Sequence, residues 1–267
     1  GEPLVGDIMN QYQANEATQV FPLADRYHKT NPAAEKDISD AKLFVGDYPD
    51  GEFELVSPDL WSLVRVEDRE IEVNPSHLYM KKGFELGRIY QLVYKGVGSR
   101  LVGLGFAALR DVSIFLKEKD HAVNPLAGEI DYVISFGSSQ SGRFLRQYLY
   151  TGMNIGEDGK LAMDGIIPHV AGGMRGEFNL RFGQPSKDVC YIMPGLFPFS
   201  DFNQIDPISG QEGGLLNINN SQPVTAKIMF TNTSAEYWRG DAALIHTNLL
   251  NDSDGNNLIN VRNYHFA

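Results

Sequence analysis

Three serines stand within four positions of the stretch "FGSSQSGRF", residues 136–144, between an apolar run and a helical one. A serine hydroxyl becomes a useful nucleophile only when a base takes its proton and an acid orients that base. One arrangement that presents such a serine is a tight strand-to-helix turn, with Oγ exposed at the C-terminal edge of a sheet. The turn brings together the residues two before and two after the nucleophile, so both must be small. Ser139 is flanked in this way by Gly137 and Ser141. Ser141 would be flanked by Ser139 and Arg143, and Ser138 by Phe136 and Gln140, and neither pair fits. Ser139 is therefore the predicted nucleophile. The N–H of Gln140, opening the helix, is the predicted oxyanion donor. The plain alternative is a serine-glycine helix entry in which Ser139 is only an N-cap.

In this topology the acid and then the histidine follow the nucleophile along the chain. The stretch "AKIMFTNTS", 226–234, reads as a strand that runs into Glu236, which puts a carboxylate where the acid belongs. Asp241 competes from a few residues further on. Glu236 could equally be a first-turn carboxylate favoured by a helix dipole, and chain order tips the choice to the acid. The base is harder to place. His265 lies inside the last predicted strand, "INVRNYHF", and His246 in "ALIHT" falls on a predicted helix. His169 stands at the C-terminal end of a strand but precedes the acid in the chain. His28, His77 and His121 read as structural. None of the first three fits the base role well, and all three stay open.

The elements that must position these groups are legible from about residue 99 onward. "SRLVGLGFAALRDVSIFLKEK", 99–119, reads as an amphipathic helix with Leu101, Leu104, Ala108, Val112 and Phe115 facing inward. Its glycines Gly103 and Gly105 predict close packing against a neighbour. "DYVISFG" has the β-branched character of a buried parallel strand. Phe144, Leu145, Tyr148 and Leu149 then form a helical face that stops at Gly152. "MDGIIPHVAGG" and "AKIMFTNTS" read as strands, "AEYWRGDAALIHTNLL" as a helix and "INVRNYHF" as a final strand. Such alternation predicts a parallel sheet covered by helices. Upstream, 41–74 predicts two or three antiparallel strands and 83–96 a turn and a strand, while 1–35 has no clean period.

Composition narrows the function classes. A net charge of −11, with basic residues scattered, sets nucleic acid aside. No apolar run approaches the roughly 20 residues of a membrane span. No signal peptide is visible at the start, and a mature secreted chain would look the same, so the compartment stays open. The single cysteine, Cys190, excludes an internal disulfide and reads as a small buried hydrophobe. "DPISGQEGG" and "NDSDGNN" lack the spacing of a calcium loop and read as turns, so no metal is predicted.

Six blocks in order carry a resemblance: "GFELGRIYQLVY", "VGLGFAALRDVSIFL", "GSSQSGRFLRQYLYTG", "DGIIPHVAGGMRGEFNLRFGQPS", "FPFSDFNQIDPISG" and "IMFTNTSAEYWRGDAALIHT". Over about 83–267 the chain resembles a little-characterised α/β-hydrolase family with a G-x-S-Q-S-G elbow. The resemblance implies an α/β-hydrolase fold, Ser139 as nucleophile and Glu236 as acid. It also implies that such chains run on past both ends of this one, upstream through the first strands and downstream through a glycine to a histidine suited to the base role. On that implication this chain is a piece, or its missing segments lie on a partner chain.

The expectation is a single domain over 1–267, with a β-rich part at 36–80 and a lid-like aromatic insertion at 176–223. The expected activity is cleavage of a small-molecule carboxylic ester or related acyl bond through an acyl-enzyme, with no cofactor. One rival is a hydrolase-fold binding or assembly module without chemistry. Another is a metal-dependent or lyase-type enzyme built on His169.

Overall fold

The computed structural model describes residues 4–23, 33, 40–48, 51–67, 70–99, 101–176, 179, 181–182, 196–216, 226–238, 241–251 and 253–267. Cys190 and most of 176–195 lie outside them, as does His28. The chain divides into two compact units, Gly1–Val102 with Asn179–Ile192, and Gly103–Phe178 with Met193–Ala267.

The first unit is antiparallel β-structure. Its strands are β1 (Val5–Gln13), β2 (Val20–Pro22), β3 (Lys42–Gly46), β4 (Glu54–Leu55), β5 (Trp61–Glu67), β6 (Glu70–Met80) and β7 (Ile89–Val97). They form two sheets, ordered β1-β7-β3-β4 and β2-β6-β5. Ile8, Tyr12, Phe21, Leu43, Trp61, Leu78 and Leu92 belong to one buried cluster. The strands expected between 41 and 97 are present. Strand β1, by contrast, lies where the sequence shows no period. The reason is that Asn10 and Gln11 are buried within it, and Asn10 Nδ2 donates to the Tyr12 hydroxyl and to the Leu23 carbonyl. Polar residues buried inside a core hide the alternation that marks a strand.

The second unit carries the parallel sheet. Its elements are α1 (Leu104–Lys117), β8 (Ile134–Ser138), α2 (Gln140–Tyr150), β9 (Gly165–His169), the two-residue strands β10 (Gln204–Ile205) and β11 (Glu212–Gly213), β12 (Lys227–Thr233), α3 (Ser234–Trp238) and β13 (Val261–Phe266). The order is β13-β12-β9-β8 and every pairing is parallel. This is the alternation read from the sequence. Ile166, Ile228, Phe230 and Val261 share one core with Phe106 of α1 and Leu145, Tyr148 and Leu149 of α2. Helix α2 ends as predicted. Gly152 takes φ 73, its N–H reaches the Leu149 carbonyl, and Met153 N–H reaches that of Tyr148.

Four expectations need correction here. Helix α1 turns a different face inward: Leu104 and Val112 are 63% and 53% exposed, and Phe106 and Ser113 are buried. Phe106 decides the rotation, because its ring packs against Phe144 and Tyr148 of α2 at 4.7 and 5.9 Å. The glycines of α1 are not close-packing sites, since a Cβ at either would meet nothing within 4 Å. Gly103 serves instead as the N-cap, with φ 92. Strand β8 is parallel but not buried. It is an edge strand, and Ile134 and Phe136 are 68% and 65% exposed. Finally, the single helix expected after β12 is only the five residues of α3, followed by a 3₁₀ turn at Ala242–Ile245. His246 therefore caps that turn and is not within an α-helix.

Within the predicted insertion, the described residues 196–216 are part of the fold of this unit. Phe197, Phe199, Leu215 and Leu216 are buried. Asp206 accepts from the N–H groups of Ile208 and Ser209, which makes "DPISG" a turn as expected.

Candidate active site

Ser139 sits between the end of β8 and the start of α2, with φ 55 and ψ −114. This is a region that residues with a Cβ enter only under strain of about 1–3 kcal/mol. The residue is exposed and its side chain makes no capping hydrogen bond to the helix. An ordinary N-cap serine would have extended backbone and would bond an N–H of the first turn. Ser139 does neither.

The steric rule read from the sequence holds, with one change of place. A Cβ on Gly137 would lie 2.5 Å from the Ser141 carbonyl oxygen, so positions 137 and 141 do approach. The contact is to Ser141 backbone, while the Ser141 side chain is exposed. The second position without room for a side chain is Gly142, whose Cβ would lie 2.9 Å from the carbonyl oxygens of both Gly137 and His169. That is why a serine can occupy position 141 here. Gln140 opens α2, where helix geometry leaves its N–H without an intrahelical acceptor.

At the same C-terminal edge of the sheet, His169 ends β9, His265 lies near the end of β13 and Glu236 stands in α3 directly after β12, and none of the three is hydrogen-bonded to Ser139. Glu236 Oε2 accepts from Thr233 N–H at 2.8 Å and from Thr233 Oγ1 at 2.6 Å. The bond from Thr233 N–H to the side chain three residues on is the return half of a capping box at the start of α3. His265 lies within 3.2 Å of Ser234 Oγ through Nε2, and its ring stands edge-on to Tyr237 at 5.1 Å. His169 Nδ1 pairs with Thr231 Oγ1 at 2.8 Å, with its ring stacked on Phe136. His246 Nε2 pairs with the Tyr237 hydroxyl at 2.9 Å, and its Nδ1 lies 3.4 Å from Asp254. Burial of the Tyr237 phenol, reinforced by Asp254, raises its pKa. Asp241, the competing acid, is buried, with its carboxylate against Gly172 and its carbonyl against Gly173. Among the described residues, no group of three or more His, Cys, Asp or Glu stands ready to hold a metal ion.

Sequence reasoning missed Ser234, Tyr237 and Val170. Ser234 and Tyr237 follow β12 directly, so the topological rule that drew attention to Glu236 also covered them. Val170 follows β9 with φ 45, an uncommon conformation for a β-branched residue, and no sequence signal announces it.

The model of a known family, described as "Alpha/beta hydrolase domain", matches residues 59–267, well over half of the chain. The chain belongs to the alpha/beta hydrolase domain family. No curated protein and no solved structure matches it. Membership fixes a hydrolase-type chain of the α/β class, which agrees with the parallel sheet and its flanking helices. No helix among the described residues is long and apolar enough to cross a membrane.

Proposed function

We propose that this alpha/beta hydrolase domain chain is a serine hydrolase that cleaves a carboxylic ester or related acyl bond. Ser139 Oγ attacks the acyl carbonyl, and the N–H of Gln140 stabilises the oxyanion. A histidine takes the serine proton and returns it to the leaving alcohol. Water then releases the acid from the acyl-serine. Glu236 orients the histidine. The observation that carries this reading is the exposed Ser139 held at φ 55 between strand and helix, without a capping bond that would explain its place.

A fluorophosphonate probe followed by peptide mapping tests it. The expected result is one adduct on Ser139, lost in Ser139→Ala and kept in Ser138→Ala and Ser141→Ala. An adduct on Ser234 would move the chemistry to the other side of the sheet edge.

A second reading is favoured by one observation. Each of the three candidate bases already pairs with another hydroxyl, His265 with Ser234, His169 with Thr231 and His246 with Tyr237. In that reading the chain is a hydrolase-fold binding or assembly module. Absence of any adduct on the folded chain would select it.

A further inference from the structure

Tyr237, on α3, and His246, which caps the 3₁₀ turn at Ala242–Ile245, meet through the phenol oxygen and Nε2 at 2.9 Å. The other ring nitrogen, Nδ1, lies 3.4 Å from a carboxylate oxygen of Asp254. The chain from 246 to 255 folds back on itself and brings that acid to the ring. Gly255 N–H donates to the His246 carbonyl at 2.6 Å, and Asn248 N–H to that of Ser253 at 2.9 Å. Thr247 and Asp254 face each other in an antiparallel bridge. The buried Gln204 fastens the loop, donating to the Thr247 carbonyl at 3.1 Å and accepting from Leu249 N–H at 2.7 Å.

An ionised carboxylate only accepts hydrogen bonds, so Asp254 favours the proton of the neutral imidazole on Nδ1 and leaves Nε2 to accept from the Tyr237 O–H. Hydroxyl, imidazole and carboxylate then stand in the order of a nucleophile, its base and the acid that orients the base. Among the described residues, His265 with Ser234 and His169 with Thr231 are hydroxyl–imidazole pairs with no carboxylate on the second ring nitrogen. The plain alternative is a half-buried phenol that has found one partner. It accounts for Nε2 but not for the exposed Asp254 brought up to Nδ1. Burial also keeps the phenol protonated at rest, as a serine hydroxyl is, so the proton leaves only when a base takes it.

We propose that Tyr237, with His246 as base and Asp254 behind it, is a second nucleophile of this chain, one that takes the acyl group of an activated ester such as an aryl ester. Tyr237 Oη bonds to the acyl carbon as its proton passes to His246 Nε2. The bond from that carbon to the leaving aryloxide breaks, and the imidazolium gives the proton to the aryloxide. The products are a phenol and an aryl ester on Tyr237. The chemistry assigned to Ser139 is not used.

Labelling with an aryl sulfonyl fluoride, which leaves a sulfonate ester on tyrosine, tests the proposal. The rate is followed on the tryptic peptide 228–239, whose one tyrosine is Tyr237. Tyr48 and Tyr132, both exposed, serve as references. Tyr237 is expected to react faster than either, although it is less exposed. His246→Ala should slow it about 100-fold, the scale of general-base assistance, and Asp254→Asn by a smaller factor. Tyr48 and Tyr132 should keep their rates in both variants. The Asp254 side chain is 88% exposed, so its variant carries the test even where His246→Ala does not fold. Tyr237 reacting no faster than the references, an unchanged rate in Asp254→Asn, or an adduct on Ser234 in place of Tyr237 would overturn the proposal. Ser139 is read on a separate peptide, so this proposal and the functional one can fail separately.

Discussion

The N–H of Ser139 donates to the carbonyl oxygen of His169 at 2.9 Å, and Gly142 packs against that same oxygen from the next turn of chain. The end of β9 thus holds the turn from both sides. Replacing Gly142 by Ala places a methyl 2.9 Å from two backbone carbonyls that cannot give way easily. Gly142→Ala is expected to cost about 1–3 kcal/mol, as overpacking of a tight site does. Ser141→Ala, at an exposed side chain, should stay within about 0.5 kcal/mol. Urea denaturation midpoints of the two variants measure the contrast.

Ser139→Gly removes the Cβ from the residue with φ 55. Stability is expected to rise by about 1 kcal/mol, because glycine adopts this backbone without the strain that serine bears. Fluorophosphonate labelling should vanish in the same variant. A melting temperature that falls would mean that the serine side chain contributes more than its backbone costs.

Glu236 has two roles that substitution can separate. Glu236→Ala removes the acceptor for Thr233 and is expected to cost about 1 kcal/mol, while Glu236→Gln keeps a capping side chain and should leave stability nearly unchanged. If Glu236 orients the base, the Gln variant loses labelling rate at unchanged stability. Parallel loss of rate and stability across both variants would leave it a capping residue only.

The inward face of α1 is tested by a pair of alanines. Phe106→Ala, beneath Phe144 and Tyr148, is expected to cost about 3–5 kcal/mol. Val112→Ala, on the exposed stripe, should stay within about 0.5 kcal/mol. Equal losses would restore the face read from the sequence.

Burial raises the Asp201 pKa above the ordinary carboxylate value of 3.8. The folded chain therefore holds this proton more tightly than the unfolded chain. Asp201 contributes stability below 3.8, and this contribution is lost as pH rises through the raised value. Asp201→Asn cannot ionise, so its stability relative to the parent should grow across that window and level off above it. Paired denaturation curves from pH 3.5 upward, at roughly half-unit steps, check the sign.

The strand-helix alternation after residue 99, the Ser139 turn and the stop at Gly152 were all legible in the sequence. Each depends on groups close together in the chain: β-branched runs, small residues flanking one serine, and a glycine ending one helical face. Chain order also marked Glu236 as the carboxylate following β12, and the blocks around the turn pointed to the family that the match confirms. The partners were not legible. Which side of α1 faces inward was settled by Phe106 meeting Phe144 and Tyr148, and both sides of that helix are apolar in sequence. That Asn10 and Gln11 belong to a core strand depends on acceptors and neighbours supplied by folding. His265 faces Ser234 and His169 faces Thr231 because parallel pairing aligns β9, β12 and β13 in one register, Thr231 with His169 and Asn232 with His265. Local sterics determine how a turn is made. Only the tertiary structure decides which side chains meet across a sheet, because the register is set by packing between segments far apart in the chain.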